Sequence, residues 1–297
     1  MPRFATKTVH KKPYAAISPT APEHSQAGQT VVITGGGGGI GLAIARAFAQ
    51  AGAQKIILLG RRSEVLFDAV KQLQKEVPGY CGELQAVPCD ISDKMRVARF
   101  WDRLREENTA VDVLFLNAGV IDPIGDILKA KHSDAWAAFD GNTRANLDMT
   151  QRFFNNNIDA FPNGKKKSLV HVSSATAADY HLNPIAGTYA SSKAAFLALL
   201  HRIAIQEPVE KAQIISFDPG FIYSPGVKAA GFSEHSYDWD DENLPGQFAV
   251  WATSSAAAMF HGRFVKSCWD VNELQGAEVK AHIDNDDMFL KMGVIGY

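Results

Sequence analysis

Tyr189 and Lys193 stand four residues apart in Tyr189-Ala190-Ser191-Ser192-Lys193, the spacing that puts two side chains on one helical face. A phenol has an ordinary pKa of about 10, too high for ready proton exchange at neutral pH. A neighbouring ammonium favours phenolate and is expected to draw that pKa toward the working range. The pair can thus serve as a general acid/base at an oxygen. On its own it would equally fit an exposed cation–phenol contact. Its setting decides between them: the helix 189–206 begins soon after an apolar strand, 168–173, beside a groove that the rest of the chain defines.

That groove starts at Thr34-Gly35-Gly36-Gly37-Gly38-Gly39-Ile40-Gly41, between the apolar run Val31-Val32-Ile33 and the helical Leu42 to Phe48. Strand, glycine turn and helix in this order meet the needs of dinucleotide binding. The turn must be tight, the backbone must approach phosphate, and a helix N-terminus must face the anion. A side chain at Gly35, Gly39 or Gly41 would block one of these. The second strand, 55–60, ends at Gly60-Arg61-Arg62. An acid there would bond the ribose 2′-hydroxyl of NAD, whereas arginine suits a 2′-phosphate bidentately. With no acid and two arginines, NADP(H) is the expected cofactor; two solvated loop arginines would read the same way. Asp90 either accepts from an adenine amino group or caps the following helix, and the two roles are compatible.

The remaining elements alternate. Strands are expected at 29–34, 55–60, 84–89, 111–116, 168–173, 213–217 and 263–266, and helices at 39–51, 65–73, from 93, 135–155, 189–206 and 245–259. Continuous apolar strands are buried on both faces, the mark of a parallel sheet between helix layers. The expected fold is α/β, a doubly wound (Rossmann) sheet of about seven strands in a single domain spanning 28–297, preceded by an arm, 1–27. Ligands of such sheets sit at the carboxyl ends of the strands. Those ends are the glycine turn, Gly60-Arg61-Arg62, Cys89-Asp90-Ile91, Asn117-Ala118-Gly119, Ser173-Ser174 and Asp218-Pro219-Gly220. Small or hydrogen-bonding residues at each of them describe one long groove for an extended cofactor.

Composition narrows the class. The 297 residues are 46% apolar and 21% charged, with a net charge of −2, so no bulk attraction to nucleic acid or anionic membrane is implied. No apolar run reaches membrane-spanning length. Cys81, Cys89 and Cys268 form no paired motif and read as free thiols in a reducing compartment, which points to the cytoplasm. The first 27 residues carry Arg3, Lys7, Lys11 and Lys12 with no acid before Glu23. They read as an extended arm on the domain, with a transit peptide as the alternative.

Taken together, the glycine motif at 34–41, Asn117-Ala118-Gly119, Ser174, Tyr189 to Lys193 and Pro219-Gly220 resemble the short-chain dehydrogenase/reductases over residues 28–275. Gly262 to Val265 with Trp269-Asp270-Val271 is similar to a filamentous-fungal subgroup, many of whose members serve secondary metabolism. The resemblance implies hydride transfer with Tyr189 exchanging the proton and Lys193 also bonding the nicotinamide ribose. Ser174 would hold the substrate oxygen and Asn146 a relay water. Gly35, Gly37, Gly39, Ile40, Gly41, Arg61, Arg62, Asp90, Ile91, Asn117, Ala118 and Gly119 would contact the cofactor, with Asn117 to Gly119 flooring the adenine–ribose pocket. Pro219, Gly220, Ile222 and Ser224 would border the nicotinamide amide. A homodimer or homotetramer is implied. The stretch from Ser174 to Tyr189 is longer than the family norm, which makes Thr176 an alternative to Ser174. Ser174 is preferred because it directly ends the strand.

The substrate segments are 175–188 and 221–244. Their Tyr180, His181, Phe221, Tyr223, Phe232, Tyr237 and Trp239 suit an apolar or ring-bearing ketone or secondary alcohol, or a lid packed on its own core. The histidines lack metal-ligand spacing. Redox-neutral chemistry, such as dehydration, isomerisation or cyclisation, and a non-catalytic NADP-binding module are the competing functions. An intact Ser/Tyr/Lys set argues against the last.

Overall fold

The computed structural model describes residues 5–121, 125–156 and 166–293. Residues 1–4 of the expected arm, and 294–297, lie outside the described residues. Seven strands run parallel in the order β3-β2-β1-β4-β5-β6-β7. They are β1 (Thr30–Thr34), β2 (Lys55–Gly60), β3 (Glu83–Pro88), β4 (Val113–Leu116), β5 (Lys167–Val172), β6 (Ala212–Asp218) and β7 (Arg263–Lys266). The order reverses between β1 and β4, which register Val31 against Val113. Chain direction diverges there, and a crevice opens at the strand ends.

The helices follow from the alternation. On one face lie α1 (Gly39–Gln50) and α2 (Ser63–Glu76), and on the other α3 (Lys94–Glu106). Period-two geometry sends neighbouring side chains of a strand to opposite layers. Val31 and Ile33 pack with Phe48 of α1, while Val32 packs with Trp101 of α3. All three valine and isoleucine side chains are fully buried, each stabilising the sheet by about 1.5–3 kcal/mol.

The expected helix 135–155 is one rod with an interruption. It begins as α4 (His132–Phe139), passes through a π-helical turn, Asp140–Arg144, and continues as α5 (Ala145–Asn155). Next come α6 (Gly187–Gln206), the short α7 (Pro225–Ala229) and α8 (Asn243–Trp251). The expected helix 245–259 therefore stops eight residues early. Thr253 turns its hydroxyl back onto the Val250 carbonyl at 2.8 Å, competing with helix continuation. A 3₁₀ stretch, Ser255–Phe260, follows, and α9 (Val271–Leu274) and α10 (Ala277–Asn285) close the chain. Among the described residues no helix is long and apolar enough to cross a membrane.

Candidate active site

The glycine turn is built by contacts that only glycine permits. Gly35 and Gly39 have φ of +67° and +52°, the left-handed region that side chains disfavour. A Cβ on Gly41 would collide with the Gly35 carbonyl oxygen and lie 2.6 Å from Asn117 Nδ2. Asn117 secures the turn from β4: its Nδ2 donates to the carbonyls of Thr34 at 2.9 Å and Gly35 at 3.2 Å. Thr34 does as much. Its hydroxyl accepts from the N–H groups of Asn117 and Ala118 at 2.9 and 3.0 Å and donates to the Phe115 carbonyl. Sequence reasoning took Thr34 only as the start of a motif, although a threonine ending β1 at the switch point was the visible signal. Ile40 is half-buried at the start of α1, and Gly37 packs against Val65.

Arg61 and Arg62 leave β2 exposed. Arg62 is the residue before α2. Ile91 is buried, and Asp90 lies beside it at the end of β3. Asp90 does not cap the next helix. Its Oδ1 accepts from the Ser92 amide at 3.0 Å and hydroxyl at 2.8 Å, while Asp93 caps α3 by accepting from Met95 and Arg96. The extra turn places the cap three residues later than expected.

Ser174, Tyr189 and Lys193 converge. Ser174 follows β5, and its hydroxyl comes close enough to the Tyr189 phenol to act on its pKa. Its hydroxyl lies 2.9 Å from that of Thr176, so the two candidate hydroxyls form one pair, with Ser174 against the tyrosine. The Ser174 loop is fixed from β6, where buried Asp218 accepts from the Ala175 N–H at 2.7 Å. Lys193 is buried, and its Nζ donates to the Val172 carbonyl at 2.9 Å. Gly119 makes room for it: a Cβ there would stand 3.3 Å from the ammonium.

The phenol pKa moves opposite to the expectation. Burial pushes Tyr189 up to about 12, and the Ser174 hydroxyl only partly opposes this. The Lys193 ammonium lies 6.0 Å from the ring centroid and is committed to Val172, so it does not offset desolvation at the phenol oxygen. Burial lowers Lys193 itself to about 8.

Asn146 does not reach this group. It is fully buried, and its Nδ2 donates to the Asn142 carbonyl at 2.9 Å. Asn142 stands there instead. Its Oδ1 accepts from Val120 N at 2.7 Å and would lie 3.1 Å from a Cβ on Gly119. Its Nδ2 donates to Ser192 Oγ at 2.9 Å. The π turn sets this register, a device common at functional sites. Both asparagines lie on one helical face one turn apart, which is why spacing alone did not separate them.

Beyond β6, Gly220 has φ +86° and Ile222 is buried. Ser224 caps α7, and its Cβ would be 3.0 Å from one on Gly39, so this loop closes against the glycine turn. Tyr180 and His181 are exposed. Tyr223 and Trp239 pair at 5.4 Å, and Tyr237 stacks on Phe221 at 5.6 Å and meets Trp239 edge-on at 5.1 Å. The aromatic loop is thus packed on itself while Phe221 and Tyr237 stay about half exposed.

Fold and site together define a Rossmann-fold oxidoreductase with a nicotinamide-cofactor groove. The short chain dehydrogenase family profile matches residues 29–233, and the chain belongs to that family. A short chain dehydrogenase/reductase of Aspergillus novofumigatus, nsrO, is 31% identical over 98% of this chain and 96% of its own. Among solved structures, RhlG of Pseudomonas aeruginosa in complex with NADP aligns with a TM-score of 0.73 at 21% identity, over 83% of this chain and 97% of that one. A 7α-hydroxysteroid dehydrogenase complexed with NADH and 7-oxo glycochenodeoxycholic acid gives 0.69 at 22% identity, over 86% and 96%.

Proposed function

We propose that the protein is an NADP(H)-dependent carbonyl reductase and alcohol dehydrogenase acting on a hydrophobic or ring-bearing small molecule. The observation that carries this is the Ser174–Tyr189–Lys193 convergence beside a glycine cradle in which Gly35 and Gly41 leave no room for a Cβ. The cradle that Asn117 secures fits a pyrophosphate, and Lys193 fits the ribose next to the reacting end. When bound, the nicotinamide supplies or takes the hydride. Ser174 orients the substrate oxygen, Tyr189 exchanges its proton, and Asn142, in place of Asn146, serves the relay. A phenol raised to about 12 is protonated at neutral pH. Tyr189 therefore holds the proton that carbonyl reduction requires. Oxidation needs the phenolate and should accelerate with rising pH. We place the enzyme in the cytoplasm, as a homodimer or homotetramer.

Cofactor choice follows from Arg61 and Arg62. NADPH should bind more tightly than NADH, and Arg61→Ala should erase most of the difference. A charge-assisted bond is worth roughly 1.5–3 kcal/mol, about one to two decades in affinity. Fluorescence titration giving equal dissociation constants for the two cofactors in the unmutated chain would remove the NADP assignment.

The hydroxyl pair is separable too. Ser174→Ala should lower turnover by about 10²-fold or more, because Ser174 is the hydroxyl set against the phenol, whereas Thr176→Ala should act mildly. A reversed ranking in steady-state kinetics would transfer the role to Thr176.

A further inference from the structure

We infer that Lys11, on the N-terminal arm, is a positioning residue for the substrate loop 221–242. The arm is first anchored on rigid structure beyond β7. His10 N donates to the Cys268 carbonyl at 2.7 Å, and His10 Nε2 meets Asp270 at 2.8 Å. The Tyr14 hydroxyl donates to the Trp269 carbonyl at 3.0 Å and accepts from Val271 N at 2.9 Å. From that base Lys11 reaches the neck of the loop. Its carbonyl accepts from Asp241 N at 2.8 Å. Its Nζ donates to the Asp238 carbonyl at 2.9 Å, pairs with the Asp238 carboxylate, and lies 4.0 Å from Asp240 Oδ1.

Asp240 closes the neck. Its N–H donates to the Phe221 carbonyl at 2.8 Å, and its Oδ2 accepts from Phe221 N at 2.9 Å. Gly220, at φ +86°, has no room for a Cβ because Asp240 Oδ2 occupies that space. Asp240 therefore grips the residues that lead from β6 into both the nicotinamide border and the aromatic loop. Three acids, Asp238, Asp240 and Asp241, crowd within four residues, and Lys11 is the arm cation set among them. The exposed pair with Asp238 is worth little alone. The effect of Lys11 comes from relieving the mutual repulsion at Asp240, which is one-tenth exposed and so poorly screened.

The consequence for substrate rests on the reductase reading; the coupling of arm to loop does not. Hydrogen–deuterium exchange of Lys11→Glu should show faster exchange in 221–242, by roughly tenfold, the equivalent of one net hydrogen bond. Strand β1 and the glycine turn should match the parent. With phenanthrenequinone as the ring-bearing carbonyl probe, KM should rise by a similar factor, while kcat and the NADPH dissociation constant stay within about twofold. Lys11→Arg should restore both exchange and KM. Unchanged exchange in 221–242 would overturn the coupling, and a loosened loop with parental KM would overturn its bearing on substrate. If the parent reduces no ring-bearing carbonyl, the reductase reading fails, and the exchange result alone upholds or refutes the arm's hold on the loop.

Discussion

Tyr189→Phe is expected to lower the redox rate by about 10²-fold or more while fold and cofactor affinity survive. The substitution keeps the ring and its packing and removes only the transferable proton, and positioned proton transfer contributes on that scale. The neighbours would stay in place. The Ser174 loop is held by Asp218 through Ala175, and α6 is tied to the π turn by the Asn142–Ser192 bond, neither of which involves the phenol. Thermal melting and NADPH titration should therefore match the parent, and only turnover should change. Near-normal turnover on an identified ketone would exclude Tyr189 as the acid.

Lys193→Met should harm both turnover and NADPH binding, which separates it from Tyr189→Phe. Lys193 lies beneath Gly119 and 6.0 Å from the phenol ring, so on the proposed reading one ammonium would serve both the ribose and the reacting centre. Losses in the double mutant with Tyr189→Phe should be well below additive in free energy, since the two residues act as a unit. The lysine also leaves a pH signature. Burial lowers its pKa to about 8 from the ordinary 10.5. The folded state thus binds this proton less tightly than the unfolded state. The resulting destabilisation is fully present below pH 8 and disappears as pH rises toward 10.5. Lys193→Met removes that penalty, so its melting temperature relative to the parent should be most favourable below pH 8 and lose that advantage above it. In kinetics, the parent's kcat/KM for NADPH should fall as pH passes about 8 and Lys193 discharges. The variant's profile should lack that step. A parental profile flat through pH 8 would contradict the role of the ammonium.

The fold was legible because its signals are local and redundant. Apolar runs such as Val31 to Ile33 and Val113 to Leu116 can be buried only between two helix layers, and the observed sheet buries both runs completely or nearly so. The glycine turn was readable for the same reason: one clash at Gly41 is enough to demand glycine. What escaped depends on register and on distance through space. Asn142 and Asn146 differ by one turn, and spacing alone did not show that it is Asn142, in the π turn, that lies beside Gly119. The early end of α8 depends on a threonine side chain competing for a carbonyl. The direction of the Tyr189 shift depends on where the ammonium points, and the Val172 carbonyl draws it away from the phenol oxygen. Sequence spacing predicted that the two side chains share a face but carried no information about that third partner.

Reduction of a ring-bearing ketone with NADPH deuterated at the transferable C4 position tests the central claim most directly. Hydride transfer predicts a product alcohol carrying one deuterium at the carbinol carbon, formed in equal amount to the NADPH consumed and abolished together with turnover in Tyr189→Phe. A product free of deuterium, formed with no net consumption of NADPH, would contradict the account and establish redox-neutral chemistry on the same scaffold.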